Sequence, residues 1–78
     1  MTFSVYPNPT KGILEIQAEE NISSIEIFNL QGQLLQKLEL DGRSKVHKTD
    51  LGHINTGTYI LKVTTATCVS GMRKFVRF

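Results

Sequence analysis

The chain has little of what most catalytic or membrane-spanning proteins need. It contains one cysteine, so it forms no internal disulfide, and it has no tryptophan. No apolar run approaches the roughly 20 residues that cross a bilayer as a helix. The N-terminus lacks a basic region followed by an apolar stretch, which excludes a secretory signal peptide within this sequence. Met1 directly precedes a strand-like run and is consistent with an added start residue.

Length and composition indicate one small globular domain over residues 1–78. Hydrophobic residues make up 40% of the chain and charged residues 21%, which is typical of a folded domain. Ordering each residue costs roughly 1.5 kcal/mol, so most apolar side chains must pack in the core. Few remain to line a deep substrate pocket. The sequence therefore argues against a free-standing enzyme.

The net charge of +2 is unevenly distributed. Residues 51–78 carry Lys62, Arg73, Lys74 and Arg77 and no acid. Such a basic end could meet a phosphate backbone, an acidic lipid surface or a protein receptor. It could equally be a solvated edge strand whose charges prevent aggregation. Charge alone leaves both interpretations open.

Proline and glycine divide the chain into short segments that alternate apolar and polar residues. The predicted strands are residues 3–6, 13–17, 22–30, 34–40, 45–49, 58–65 and 72–78. Leu34, Leu35 and Leu38 would also suit a helix, but the flanking Gly32 and Gly42 favour a strand. About seven short strands at spacings of roughly ten residues predict an all-β fold, either a sandwich or a small barrel.

Side-chain alternation also predicts which residues share a face. Ile25 and Ile27 lie on one face of the third strand, with Phe28 and Leu30 on the other, which predicts a strand buried on both sides. Gly32 is expected at the left-handed position of the following hairpin. In the fourth strand, alternation places three leucines on one face: Leu34, Leu38 and Leu40.

Residues suited to catalysis or metal binding are few and scattered. His47 and His53 lie on different predicted elements, and no cluster has metal-ligand spacing. Cys68 lies in a predicted loop without a nucleophile motif around it. We therefore expect no catalytic residue, no metal and no cofactor.

Nucleic-acid binding is a further alternative, because Phe75 and Phe78 alternate with basic residues near the C-terminus. The low net charge and the aromatic content of 8% argue against it, so we expect no nucleic-acid partner. An immunoglobulin-like adhesion or carbohydrate-binding module also stays open. Neither an exposed aromatic platform nor metal-binding acids are evident from the sequence to support it.

Four segments in order resemble type A C-terminal sorting domains of the bacterial type IX secretion system. The first is the opening Tyr6, Pro7, Asn8, Pro9, Thr10, Lys11 and Gly12. Residues 25–34 are similar to the family's middle strand and Gly-Gln hairpin, although Asn29 stands where the family often has Asp. Residues 51–63 resemble its Leu-rich loop and Gly-x-Tyr strand, and residues 73–78 resemble its basic, apolar terminus.

The resemblance implies a seven-stranded, immunoglobulin-like β-sandwich at the end of a larger secreted protein of Bacteroidota-type bacteria. The cargo would reach the periplasm by its own N-terminal signal, and the outer-membrane translocon would then recognise this domain. A surface peptidase would cut the linker before Tyr6, and the cargo would be released or joined to an anionic lipopolysaccharide. The domain itself would be a substrate of that peptidase and not an enzyme. No direct membrane insertion is expected.

The basic terminus is the expected recognition element for the translocon. The hypothesis assigns this role to Arg73, Lys74, Phe75, Val76, Arg77 and Phe78. Arg77→Glu is expected to weaken recognition more than folding, since an exposed charge changes stability by less than about 0.5 kcal/mol. The alternative is that these residues merely close the sandwich. A weak homodimer through an open edge strand is also expected.

Several motif residues are expected to act through structure alone. Gly12, Gly32 and Gly57 are assigned to backbone geometry. Tyr59 is assigned to the core, with its hydroxyl bonded near a strand corner as in related sandwiches.

Overall fold

The computed structural model describes residues 3–7 and 11–78 and contains seven β-strands in this part of the chain. The strands are β1 (Phe3–Tyr6), β2 (Ile13–Ala18), β3 (Ile22–Phe28), β4 (Leu34–Glu39), β5 (Val46–Asp50), β6 (Gly57–Thr65) and β7 (Ser70–Arg77). Seven strands lie where the sequence predicts them, apart from differences at their ends, and the fourth segment is a strand and not a helix. Asn8 and Pro9 of the predicted motif lie outside the described residues.

The strands form two sheets with antiparallel neighbours, which confirms the predicted β-sandwich. One sheet has the order β1-β2-β5 and the other the order β4-β3-β6-β7. β4 pairs with β3 and forms one edge of the four-stranded sheet. Strand C′ occupies the equivalent position in immunoglobulin-like folds, where it pairs with strand C. The chain therefore crosses between the sheets after β2 and again after β4 and β5.

The core consists of the inward side chains of both sheets, as period-two alternation requires. Its buried apolar residues are Phe3, Leu14, Ile16, Ile22, Ile25, Ile27, Leu51, Tyr59, Leu61, Val63 and Phe75. Val5, Ala18, Leu38, Leu40 and Ile54 pack against them and are half-buried.

A β-bulge at Ser23 explains how Ile22 and Ile25 both reach the core despite their odd spacing. Ile22 pairs with Thr65 and Ser24 pairs with Thr64, so Ser23 is the extra residue. Its hydroxyl donates to the carbonyls of Thr64 and Thr65, at 3.1 and 3.0 Å. The bulge returns the strand to register with its isoleucines facing inward.

The expectation that residue 30 belongs to the third strand is wrong, because β3 ends at Phe28. The Asn29 side-chain oxygen accepts from the backbone N–H groups of Gln31 and Gln33, forming a tight turn that terminates the strand. Leu30 is 55% exposed at this turn. Gly32 has φ +86°, which confirms its predicted left-handed conformation.

The predicted shared face of the three leucines in the fourth strand is also wrong for Leu34. Ile27 pairs with Gln36 and Phe28 pairs with Leu34, which leaves Leu35 as the extra residue of a second bulge. Leu38 and Leu40 remain half-buried against the core, whereas Leu34 is 50% exposed. The bulge reverses the alternation, which period-two reasoning cannot anticipate.

Candidate recognition surface

β7 is an edge strand whose side chains alternate between the core and the outer face of the four-stranded sheet. Tyr59 pairs with Phe75 and Leu61 with Arg73 on the inner side. The outward residues of β7 include Met72, Lys74 and Val76, and Lys74 pairs with the half-buried Ile60. The six residues predicted for recognition therefore do not form one continuous surface.

Phe75 and Arg73 belong to the inner side of the sandwich. Phe75 is buried, and its ring stacks on Tyr59 with centroids 5.8 Å apart and planes inclined by 28°. The Tyr59 hydroxyl donates to the Asn55 carbonyl at 2.6 Å, at the strand corner where the sequence predicts it. The Arg73 guanidinium lies 5.2 Å from the centre of the Phe3 ring and covers that edge of the core.

Arg77 is not the exposed charge that the sequence predicts. It is half-buried, and its Nε–H donates to the Leu51 carbonyl at 3.2 Å. Its Nη2 group lies 3.5 Å from the Gly52 carbonyl, and its Nη1 group donates to the carbonyl of Phe78. Arg77 thus binds the end of β7 to the loop between β5 and β6, so its substitution will affect folding as well as recognition.

The outward residues of the terminus lie beside an apolar part of the sheet surface. Phe28 pairs with Leu34 on one side and with Ile60 on the other, so these side chains form a row. Met72 is 68% exposed and Val76 is 37% exposed on the neighbouring strand. Sequence reasoning missed Met72, because its register on β7 depends on pairing with Lys62.

A groove of about 710 Å³ lies on the outer face of the three-stranded sheet and brings the two ends of the domain together. We call it the terminal groove. Its apolar walls come from Tyr6, Pro7, Ile13 and Phe78. Its charged groups come from Lys11, Glu15, Lys48 and Asp50.

A row of paired residues forms the floor of the terminal groove. Tyr6 pairs with Glu15 across β1 and β2, and Glu15 pairs with Lys48 across β2 and β5. The Tyr6 hydroxyl donates to one Glu15 carboxylate oxygen, which also accepts from the Gln17 side chain at 3.2 Å. The Lys48 ammonium lies 3.5 Å from the other oxygen.

These contacts shift the pKa values of both partners in opposite directions. The hydrogen bond from Tyr6 holds the pKa of Glu15 below its ordinary value; burial opposes this effect, and the charge of Lys48 lowers the pKa further. The same hydrogen bond, with the neighbouring carboxylate charge, raises the pKa of Tyr6. At neutral pH the row therefore holds a protonated tyrosine and an ionised glutamate.

Phe78 connects the terminal groove to the last strand. The Lys11 ammonium lies 5.8 Å from the centre of the Phe78 ring, and Phe78 is 50% exposed. Arg77 holds the adjacent backbone through its bonds to Leu51 and Gly52. Sequence reasoning predicted the opening motif and the terminus separately and did not predict that they meet.

Two of the motif glycines differ in what their positions require. Gly12 is buried with φ +154°, and a Cβ there would lie 3.6 Å from the Gly52 backbone. Gly57 begins β6 outside the left-handed region, and a Cβ there would lie 3.7 Å from the Tyr59 ring, which is ordinary contact. Gly12 thus matches its predicted geometric role, whereas backbone conformation does not require a glycine at residue 57.

The histidines and the cysteine lie apart from each other and from the groove lining. His47 pairs with Ile16 on β5, whereas His53 hydrogen-bonds to the Gln36 side chain at 2.8 Å. Cys68 is exposed in the turn between β6 and β7. Over residues 3–7 and 11–78, no group of three or more His, Cys, Asp or Glu side chains could hold a metal ion. The same residues contain no helix long and apolar enough to cross a membrane.

Together, the fold and its surfaces define a small antiparallel β-sandwich that offers an edge strand and a groove for binding. The family model of the secretion system C-terminal sorting domain matches residues 4–77, so the chain belongs to that family. None of the curated proteins searched matches the chain.

Membership confirms the function that the sequence resemblance implies. The domain is a C-terminal sorting signal of the type IX secretion system, and its family is not an enzyme family. The domain directs export to the cell surface or into the medium through interaction with the type IX machinery.

Proposed function

We propose that the type IX translocon recognises the last strand and the residue that follows it. The contacting residues are Lys74 and Val76, on the outer face of the four-stranded sheet, and Phe78, just beyond the end of β7. Arg73, Phe75 and Arg77 hold the strand in place through the contacts described above. The observation that carries the proposal is that β7 lies at the edge of its sheet, with side chains exposed on its outer face.

Edge position makes β7 the best strand for a partner to extend. It has eight residues, whereas the edge strands β1 and β5 have four and five. The remaining edge strand, β4, is interrupted by the bulge at Leu35. A partner strand added to β7 would gain regular main-chain hydrogen bonds, with specificity from the outward side chains. The weak homodimer predicted from the sequence would use this same edge and would compete with the translocon.

The proposal extends to the route of the cargo. An N-terminal signal on the cargo delivers the whole protein to the periplasm, where the translocon recognises the folded domain. Because Phe3–Tyr6 forms β1 and is paired with β2, a surface peptidase then cuts the linker upstream of this strand and not directly before Tyr6, and the attachment machinery releases or anchors the cargo. A compact sandwich supports this route, because cleavage in an exposed linker leaves both folded units intact.

Paired variants on two edges test the recognition surface. The domain is fused behind a signal peptide, a fluorescent reporter and a native-like linker in a bacterium with the type IX system. Changing both Lys74→Glu and Val76→Asp should lower export about tenfold, as loss of about 1.4 kcal/mol of binding would. The matched pair Lys37→Glu and Leu35→Asp on β4 should leave export unchanged.

Thermal melts of each purified variant separate recognition from folding. Equal loss of export on both edges would contradict recognition through β7. So would normal export of the β7 pair.

A further inference from the structure

The terminal groove has the features of a binding site that the sorting function, as described so far, does not use. Its volume of about 710 Å³ lies within the range of known ligand sites. Tyr6 is 41% exposed, Ile13 54% and Phe78 50%, so three large apolar side chains face solvent in one place. Exposed apolar surface of this kind marks interaction sites more often than chance.

The charged groups around the groove differ in whether they already have hydrogen-bond or ion-pair partners within the domain. Glu15 is engaged by Tyr6, Gln17 and Lys48. One Asp50 carboxylate oxygen accepts from the backbone N–H of Gly52 at 2.9 Å. Lys48 has Glu15 as its partner.

Lys11 is the exception among the groove's charges. In the described residues its ammonium contacts the Phe78 ring and has no carboxylate within ion-pair distance. The residue is exposed at the rim of the groove. An incoming carboxylate would therefore meet a cation that no acid already neutralises.

We propose that the terminal groove binds an extended segment of a protein partner, with an apolar side chain against Tyr6 and Phe78 and a carboxylate beside Lys11. This inference rests on the sorting function, because the partner is a protein that the domain meets during export. Phe78 belongs both to the recognised terminus and to the groove wall, so the groove lies at the end of the proposed recognition element. Tyr6 and Lys11 of the opening motif thereby determine specificity together with the C-terminal residue.

The shape and chemistry favour a peptide over a sugar or a lipid surface. A sugar needs several unengaged hydrogen-bonding side chains, whereas Glu15 already has three partners. An anionic lipid surface would place many negative headgroups near Glu15 and Asp50, which also line the groove. Among the described residues that line the groove, Lys11 is the cation without an ion-pair partner, so one carboxylate next to one apolar side chain matches Lys11 and the apolar walls.

A titration with two blocked peptides tests the inference on the whole chain. Acetyl-Gly-Phe-Asp-Gly-amide and its Asn analogue are added separately to isotope-labelled protein, and backbone amide shifts are followed by NMR. We expect shifts at Ile13, Gly52 and Phe78, with the Asp peptide binding about threefold more tightly, as expected for one exposed ion pair. Lys11→Gln should abolish this preference.

Control variants and a lipid probe complete the titration. Tyr6→Ala should weaken both peptides, whereas Val69→Ala, an exposed apolar residue in the turn between β6 and β7, should weaken neither. Vesicles of phosphatidylglycerol should not shift the groove residues. The inference is overturned by the absence of groove shifts, by equal binding of the two peptides, or by vesicle binding at the groove.

The export assay distinguishes failure of this inference from failure of the sorting function. The wild-type fusion, the Lys11→Gln fusion and the Val69→Ala fusion are compared in strains with and without the translocon. If export depends on the translocon and falls severalfold only in the Lys11→Gln fusion, the result supports partner binding at the terminal groove. If export depends on the translocon and is equal for all three fusions, the proposal of partner binding at the groove is overturned and the sorting function still holds. Export of the wild type without the translocon contradicts the sorting function itself.

Discussion

Arg77 donates its Nε–H to the carbonyl of Leu51 over 3.2 Å, and this bond joins the last strand to the loop between β5 and β6. Leu51 is itself fully buried, so its carbonyl has little access to water. A charged residue of the proposed recognition element therefore also holds the sandwich closed. Folding and recognition are coupled at this end of the domain.

Removing the Arg77 side chain should destabilise the fold measurably. Arg77→Ala removes one of two donors to the Leu51 carbonyl, which also accepts from the backbone N–H of Ile54 at 3.1 Å, and should lower the free energy of unfolding by about 0.5–1.5 kcal/mol. Arg43→Ala, at an exposed loop position, should change it by less than about 0.5 kcal/mol. Urea denaturation of the two variants measures the difference. Equal stability of both would contradict the structural role of Arg77.

The bulge hydroxyl of Ser23 provides a second test of local structure. Ser23→Ala removes a donor to two backbone carbonyls and should cost about 1 kcal/mol. The adjacent Ser24→Ala alters a residue on the outer face of the sheet and should cost less. Chemical denaturation compares the two serines. An equal effect would mean that the bulge does not depend on the Ser23 hydroxyl.

The core and surface leucines should respond very differently to truncation. Leu61 is fully buried in the central strand β6, and Leu61→Ala should destabilise the domain by about 2–5 kcal/mol. Leu35 is 47% exposed at the second bulge, so Leu35→Ala should cost well under about 1 kcal/mol. Thermal melts give both values. A Leu35 effect as large as that of Leu61 would contradict the register of β4.

Cys68 occupies a backbone conformation that favours glycine. Its φ is +66° in the turn between β6 and β7, where a non-glycine residue costs about 1–2 kcal/mol. Cys68→Gly should therefore raise the unfolding free energy by about 0.5–1 kcal/mol, after allowing for the greater freedom of glycine in the unfolded chain. Cys68→Ala keeps the same strain and should leave stability nearly unchanged. Calorimetry that shows no gain with glycine would argue against this turn geometry.

The Tyr6–Glu15 hydrogen bond should be visible in the titration of Glu15. Because this bond lowers the pKa of Glu15 in the folded state, its contribution to stability is present above the unfolded pKa and is lost as pH falls through the folded pKa. Tyr6→Phe should move the pKa of Glu15 upward, toward its ordinary value. NMR of the carboxyl carbons measures the shift.

Glu20 supplies an internal control for that titration. Its pKa is lowered mainly by the hydrogen bond from Thr67, which Tyr6→Phe does not touch. The Glu20 titration should therefore stay the same in the variant. An unchanged Glu15 titration would mean that the tyrosine does not stabilise the carboxylate.

Much of the fold follows from local sequence patterns, because strand alternation and turn residues act over a few positions. Alternation gives Tyr59, Leu61 and Val63 one common face, which the structure buries, and Gly32 is the expected left-handed turn residue. The bulges at Ser23 and Leu35 were not predictable, since an extra residue is defined only relative to its partner strand. The faces of Leu34 and the isoleucines depend on those bulges.

The terminal groove was the least predictable part of the molecule. It requires β2 to pair with β5, although β3 and β4 lie between them in the chain. It also requires Phe78 to return to Lys11. Neither the β2–β5 pairing nor the contact between Phe78 and Lys11 produces a local sequence pattern. The family resemblance, by contrast, rests on contiguous motifs and does not depend on these long-range contacts.

The most direct test of the sorting account is export of a reporter that carries residues 1–78 at its C-terminus. The fusion has its own signal peptide and is produced in a type IX bacterium and in the same strain without the translocon. The account predicts reporter at the cell surface or in the medium only when the translocon is present. A folded reporter that stays in the periplasm of both strains would contradict it.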